Sequence, residues 1–293
     1  MSAVPGLIGA TLSLGTPLVI AAAGEVVAER AGVIDIGLEG TMLASAFAGF
    51  YVSEVTGNPW LGIAGGIAAA LALFFVAAHL ILRQAADQVV VGTGINIFSV
   101  GVTGWLFVAL VGKTGKLASV PTIPKTAGAL ALNPLMIAAV AFVILSWFML
   151  KKTRWGLAAR AAGEAPFAVE AAGYSVTRLR FQAMLYAALL AGIAGAYLSV
   201  AQTSSFAENM TEGRGFVVIA AVTFGRWTSV GSALACLLIS FSYGVKYLTL
   251  SLGLAVPSQL FDALPYLLAL AVLAGAGRGG IAPASLAVPY RPK

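Results

Sequence analysis

An all-α polytopic membrane protein is the fold class that the sequence predicts, with about nine transmembrane helices in two inverted-repeat halves that include short discontinuous helices. Three observations lead there. Hydrophobic residues make up 60% of the 293 positions and charged ones only 10%, a balance no soluble domain of this size carries. The apolar residues fall into runs near the roughly 17 to 25 residues that a helical crossing needs. The order of those runs also recurs on either side of a central one, and inverted repeats of this kind are a signature of transport folds.

Taken in order, the candidate spans are 6–27, 37–52, 60–82, 88–111, 134–150, 181–201, 215–225, 232–250 and 260–276. The first has no basic region ahead of it and no cleavage site behind it, so it reads as a span and not as a signal peptide. The chain reads as a single transmembrane domain over 1–293. Its first half is about 6–111, its connecting span 134–150, its polar segment 151–180 and its second half 181–276. The runs 37–52 and 215–225 are the short ones. Each follows a charged, glycine-rich turn at a corresponding place in its half, the pattern expected of discontinuous helices lining a pathway. Irregular backbone at that depth must be buried in protein or face water.

The stretch 151–180 is the one long polar segment. Lys151, Lys152, Arg154, Arg160, Arg178 and Arg180 outnumber Glu164 and Glu170 there, which places it in the cytoplasm by the positive-inside rule. Its alanines favour helix. Pro166 suits the first turn of a short helix over 164–172, and Gly173 its stop. Counting outward, the N-terminus lies outside and the C-terminus inside a cell (cytoplasmic) membrane. Lys113, Lys116 and Lys125 then fall in an outer loop against the charge rule.

Chemistry is mostly excluded. Gly112-Lys113-Thr114 has the end of a phosphate-binding loop without the glycine five positions earlier. His79 is the only histidine and Cys236 the only cysteine, so the chain is not read as an enzyme, and no metal site or cofactor is expected. The net charge of +6 is spread over loops, which points to membrane lipid as a partner and not to nucleic acid. Glu29 and Arg30 read as a surface pair. Glu39, beside Gly40 at the start of a short span, reads as facing the interior, since charges near spans are paired or line a path. In the span after Gln88, Thr93, Asn96 and Ser99 recur, and Gln88, Asn96 and Ser99 lie near one helical face. Interhelical hydrogen bonding and lining of a polar substrate path are the two uses open to them.

These motifs together resemble the permease subunits of ABC importers of the branched-chain amino acid and simple-sugar group, most closely the nucleoside (guanosine-type) branch. The resemblance rests on E-R-A-G-V-I-D-I-G-L-E-G over 29–40, D-Q-V-V-V-G-T-G-I-N over 87–96, the segment 160–176, G-R-G-F over 213–216 and F-G-R-W over 224–227. Asp35 stands where the family usually has Asn, and Glu164-Ala165-Pro166 where Gly-x-Asn-Pro is common. The resemblance implies a coupling helix within 151–180, carried by Arg160, Gly163, Glu164, Pro166, Glu170 and Gly173, that docks on a separate ATP-binding cassette ATPase. It further implies a second, paralogous permease subunit and an extracytoplasmic substrate-binding protein. A nucleoside path would then be lined by Glu39, Gln88, Thr93, Asn96 and the ring of Phe216. A secondary transporter or channel is the alternative that an inverted repeat equally suits.

Overall fold

The computed structural model describes residues 3–111, 120–126, 132–251, 267 and 282–291. Apart from Leu267, the expected span 260–276 lies outside the described residues, as do Lys113 and Lys116. Among the described residues every regular element is a helix: α1 (Ala3–Arg30), α2 (Leu38–Thr56), α3 (Pro59–Ala78), α4 (Gln88–Leu110), α5 (Pro134–Lys152), α6 (Arg154–Glu164), α7 (Pro166–Ala171), α8 (Val176–Tyr197), α9 (Arg214–Phe224) and α10 (Ser229–Ser251). α3 runs on into a π-helical turn over His79–Arg83, and α8 into another over Leu198–Thr203. Six of these are long and apolar enough to cross a membrane: Gly6–Arg30, Pro59–Arg83, Gln88–Leu110, Pro134–Lys152, Val176–Thr203 and Ser229–Lys246.

Short polar side chains set where these helices begin. Asn58, Asp87, Asn133, Thr153 and Ser175 each cap the first turn of α3, α4, α5, α6 and α8 by accepting a backbone N–H, a contribution of about 1 kcal/mol each. α8 therefore starts at Val176, ahead of the expected 181, and draws Arg178 and Arg180 into the helix. α2 is also longer than expected. Its 19 residues continue through Ser53, Glu54 and Thr56, polar positions at which an apolar run stops while the backbone does not. α9 keeps the 11 residues of a short helix.

α8 lies at the centre of the molecule, against α1, α2 and α3. Hydroxyls bridge the central helices: Ser199 donates to the Ala46 carbonyl at 2.7 Å and Ser146 to that of Ala23 at 2.7 Å. In hydrocarbon such bonds replace those that water would offer. α1 and α10 are antiparallel, since a side chain at Gly15 would meet Ser240 and one at Gly244 would meet Thr11. One end of the bundle gathers the end of α1, α6, α7, the start of α8 and the terminal segment 282–291. At the other end, Val120 and Ile123 donate to the Ser204 and Val200 carbonyls at 3.0 and 3.1 Å.

Candidate functional site

Two places carry the residues singled out in the sequence: a junction inside the bundle and a surface at its polar end. The junction is built on the non-helical turn between α1 and α2. Gln88 accepts from the Ile34 N–H at 2.9 Å, and Glu25 from that of Asp35 at 3.0 Å. Asn96 uses both ends of its amide, donating to the Ile36 carbonyl at 2.9 Å and accepting from the Gly40 N–H at 2.7 Å. Side chains of α1 and α4 thus satisfy a backbone that lipid could not. The turn can lie this close to α4 because position 92 is glycine. A Cβ there would come within 2.6 Å of the Gly37 nitrogen.

Glu39, 6% exposed, closes the junction across the two halves. Its Oε1 accepts from Gly213 N–H at 2.8 Å and its Oε2 from Gly215 N–H at 2.6 Å. Glu39 sits in the first turn of α2 and caps the first turn of α9, so one carboxylate meets the positive ends of two helix dipoles. Hydrogen bonds to a charged group contribute about 1.5–3 kcal/mol each. Phe216, on the next residue of α9, is half exposed. Thr93 is also exposed and donates to its own helix, at the Val89 carbonyl. The structure therefore brings Glu39, Asn96 and Gln88 together around the turn, sets Phe216 beside them on the surface, and gives Thr93 no bond to the turn.

Below the junction, the reading of Glu29 and Arg30 as a surface pair is overturned. Glu29 is 1% exposed and accepts from the Trp227 indole N–H at 2.5 Å, while Arg30 donates to the Trp227 carbonyl at 2.8 Å. The two sequence motifs around 29 and 227 are halves of one contact. The missed signal was Trp227 itself, an indole that needs a buried acceptor.

At the polar end, one expectation is refined. Glu164 closes α6 and does not open the next helix, because the residue before a proline disfavours helical backbone and Pro166 lacks an N–H. Pro166 begins α7, and the positive φ of 84° at Gly173 ends the segment where glycine has no steric cost. The terminal segment lies across these helices as a strap. Ser285 donates to the Gly163 carbonyl at 2.8 Å, Ala284 N–H to the Glu164 carboxylate at 3.2 Å, and Tyr290 to Glu170 at 2.7 Å. Burial, and then the Glu170 carboxylate it bonds, push the Tyr290 hydroxyl up to about 12, so it remains the donor. Arg160 bonds back to the Gly156 carbonyl of its own helix at 3.3 Å.

Arg180, counted with the loop charges in the sequence, is 1% exposed. Its guanidinium reaches the Ala31 carbonyl at 3.2 Å, that of Val288 at 3.2 Å and that of Ser285 at 3.4 Å, over the Tyr290 ring. It ties the end of α1 to the strap and the strap to α8. Beside the strap, a groove of about 630 Å³ runs along α6 and α7, lined by Arg154, Leu157, Ala161, Ala168 and Tyr174 among others. Leu157 is 62% and Tyr174 56% exposed. Neither residue carries a charge, and although Tyr174 falls within the segment 160–176, nothing in the sequence set its side chain apart.

Compared with known proteins, residues 7–273 match the family described as "Branched-chain amino acid transport system / permease component". The chain is 33% identical to the putative glucose ABC transporter permease protein TsgC13 of Haloferax volcanii, over 93% of this chain and 92% of that one. It is 30% identical to the guanosine ABC transporter permease protein NupQ of Bacillus subtilis, over 97% and 96%. Identity to the nucleoside ABC transporter permease protein NupC of Lactococcus lactis is 29%, over 95% and 94%.

Proposed function

Because the chain belongs to the permease component family of branched-chain amino acid transport systems, we propose that the Glu39 junction frames the translocation path for a nucleoside. The protein is the membrane-embedded permease subunit of an ABC importer, and ATP is hydrolysed on a separate subunit. The observation that carries the path is the meeting of two helix N-termini on one carboxylate, because it sets irregular backbone and polar groups at depth beside an exposed ring. A nucleoside offers hydrogen-bonding groups and a base that stacks, and Phe216 supplies the ring. Glu39, Asn96 and Gln88 shape this wall with Phe216, and Thr93 lies exposed on the same helix as Gln88 and Asn96. Phe216 is half exposed on the surface of the chain, so a second, paralogous permease supplies the facing wall. An extracytoplasmic binding protein delivers the solute.

Coupling follows the contacts from the polar end. The ATPase docks on the groove of α6 and α7, in a segment that includes Arg160, Gly163, Glu164, Pro166, Glu170 and Gly173. Movement there passes through the strap to Arg180, and from Arg180 to the end of α1 and the turn that holds Glu39. In this reading the polar end is cytoplasmic, with the N-terminus outside.

The test is uptake by the complete complex reconstituted in vesicles. Labelled guanosine is taken up only with hydrolysable ATP, uptake survives collapse of the proton gradient, and unlabelled nucleosides compete while glucose does not. The similarity to a glucose permease protein supports a second reading, in which the solute is a sugar. Uptake of glucose in place of guanosine would establish that reading instead.

A further inference from the structure

At the end where the coupling groove lies, α3 and α8 meet in a second cleft, of about 390 Å³, lined by Phe75, His79, Arg83, Ser175, Arg178 and Phe181 among others. The two helices pack antiparallel, with the Phe181 ring 5.1 Å from that of Phe74 and 6.5 Å from that of Phe75. Arg83 is the last residue of one membrane-length span, and Arg178 lies in the first turn of another. Both guanidinium groups therefore stand at the level where a span ends. Neither has a hydrogen-bond or ion-pair partner among the described residues. Asp87, the acid nearest Arg83 in sequence, is committed to capping α4 through the Val89 and Val90 N–H groups. The α8 amides that no helical carbonyl can reach add to the positive potential at Ser175. Below this cationic rim the lining is apolar, and Phe75 and Val76 are 58% and 55% exposed on the flank of the span.

We propose that this cleft binds the headgroup of one anionic phospholipid, with its phosphate between Arg83 and Arg178 and an acyl chain along Phe75 and Val76. Basic pockets between spans at the cytoplasmic face recognise anionic headgroups in this way. A nucleoside has no phosphate to offer, and a free phosphate ion would leave the aromatic floor in water, so the two-part lining selects a lipid. Ser175 follows directly on the Gly173 turn that ends the docking segment, so the lipid braces the base of that segment against α3.

The experiment is native mass spectrometry of the purified complex, stripped of lipid and resupplied with phosphatidylglycerol or phosphatidylcholine. The expected result is one phosphatidylglycerol held in preference to phosphatidylcholine by about tenfold or more, and loss of that preference in R83A/R178A, since each cation near an anionic headgroup counts for several-fold. R83K/R178K keeps most of the preference, which separates lost charge from lost fold. Lys151→Ala, an exposed cation at the end of α5 outside the cleft, changes nothing. Equal retention of the two lipids, undiminished preference in R83A/R178A, or full displacement of phosphatidylglycerol by millimolar inorganic phosphate would each overturn the proposal. The binding does not depend on which solute is carried, so its failure leaves the transport reading standing.

Discussion

The Glu39 carboxylate accepts the Gly215 amide at 2.6 Å across 176 residues of chain, which makes it the direct bond between the first turns of α2 and α9. Gly215 has to be glycine for this, because a Cβ there would lie 2.6 Å from the Glu39 Cα. Glu39→Gln keeps the volume but turns one acceptor into a donor facing an N–H. With one charged hydrogen bond lost and a clash of donors gained, stability should fall by about 1.5–3 kcal/mol. The expected outcome is a lower melting temperature and uptake reduced more than tenfold, with Glu39→Asp in between. Wild-type melting and uptake in Glu39→Gln would refute the junction's role.

Asn96 tests whether a polar residue at the turn touches the solute or positions the wall. Its amide already serves the Ile36 carbonyl and the Gly40 N–H. Asn96→Asp should therefore be worse than Asn96→Ala, because it sets a carboxylate oxygen against the Ile36 carbonyl. If positioning is the role, the maximal rate of uptake and the melting temperature fall together in both variants. A rise in the half-saturating concentration alone, with melting unchanged, would mean direct contact. Phe98→Leu, at an exposed position on the face of α4 opposite Asn96, serves as the control without effect.

The helices and the polar segment were legible in the sequence because both are written in composition, which periodicity and the positive-inside rule convert into spans. The junction was half legible. Glu39, Gln88 and Asn96 stand out as polar residues in apolar surroundings, yet their partners are backbone groups, and no side-chain pattern encodes a carbonyl at Ile36. Arg180 shows the opposite failure. It counts as a loop charge in one dimension, and the end of α1 together with the return of 282–291 over α6 and α7 buries it.

That burial makes Arg180 a sharp test of the route from groove to junction. Arg180→Met takes the guanidinium donor from the buried Ala31 carbonyl, and an unsatisfied buried group costs about 1–3 kcal/mol; it also frees the strap at Ser285 and Val288. Lys should rescue poorly, since a compact ammonium lacks the planar fork that reaches several carbonyls together. The expected result is ATPase activity of the complex that no longer responds to solute-loaded binding protein in Arg180→Lys, at near-normal ATPase binding. Normal stimulation in that variant would exclude Arg180 from the coupling route.

The docking groove separates two roles that the sequence placed on the same residues. Gly163 and Glu170 meet the strap, Glu164 meets the strap and borders the groove, and Leu157 and Tyr174 open onto the groove alone. Truncating an exposed apolar side chain costs the folded chain little, but a docked ATPase would bury it. Full burial of a leucine contributes about 1.5–3 kcal/mol, so Leu157→Ser should weaken ATPase binding about tenfold or more without lowering the melting temperature. Tyr290→Phe should act in the reverse manner. It removes the bond to Glu170 and loosens the strap, lowering the melting temperature and blunting stimulated ATPase activity while leaving binding affinity close to normal. Titration of labelled ATPase onto the reconstituted permease measures both. If Leu157→Ser binds normally and Tyr290→Phe does not, the ATPase sits on the strap, and the assignment of the groove as its dock is wrong.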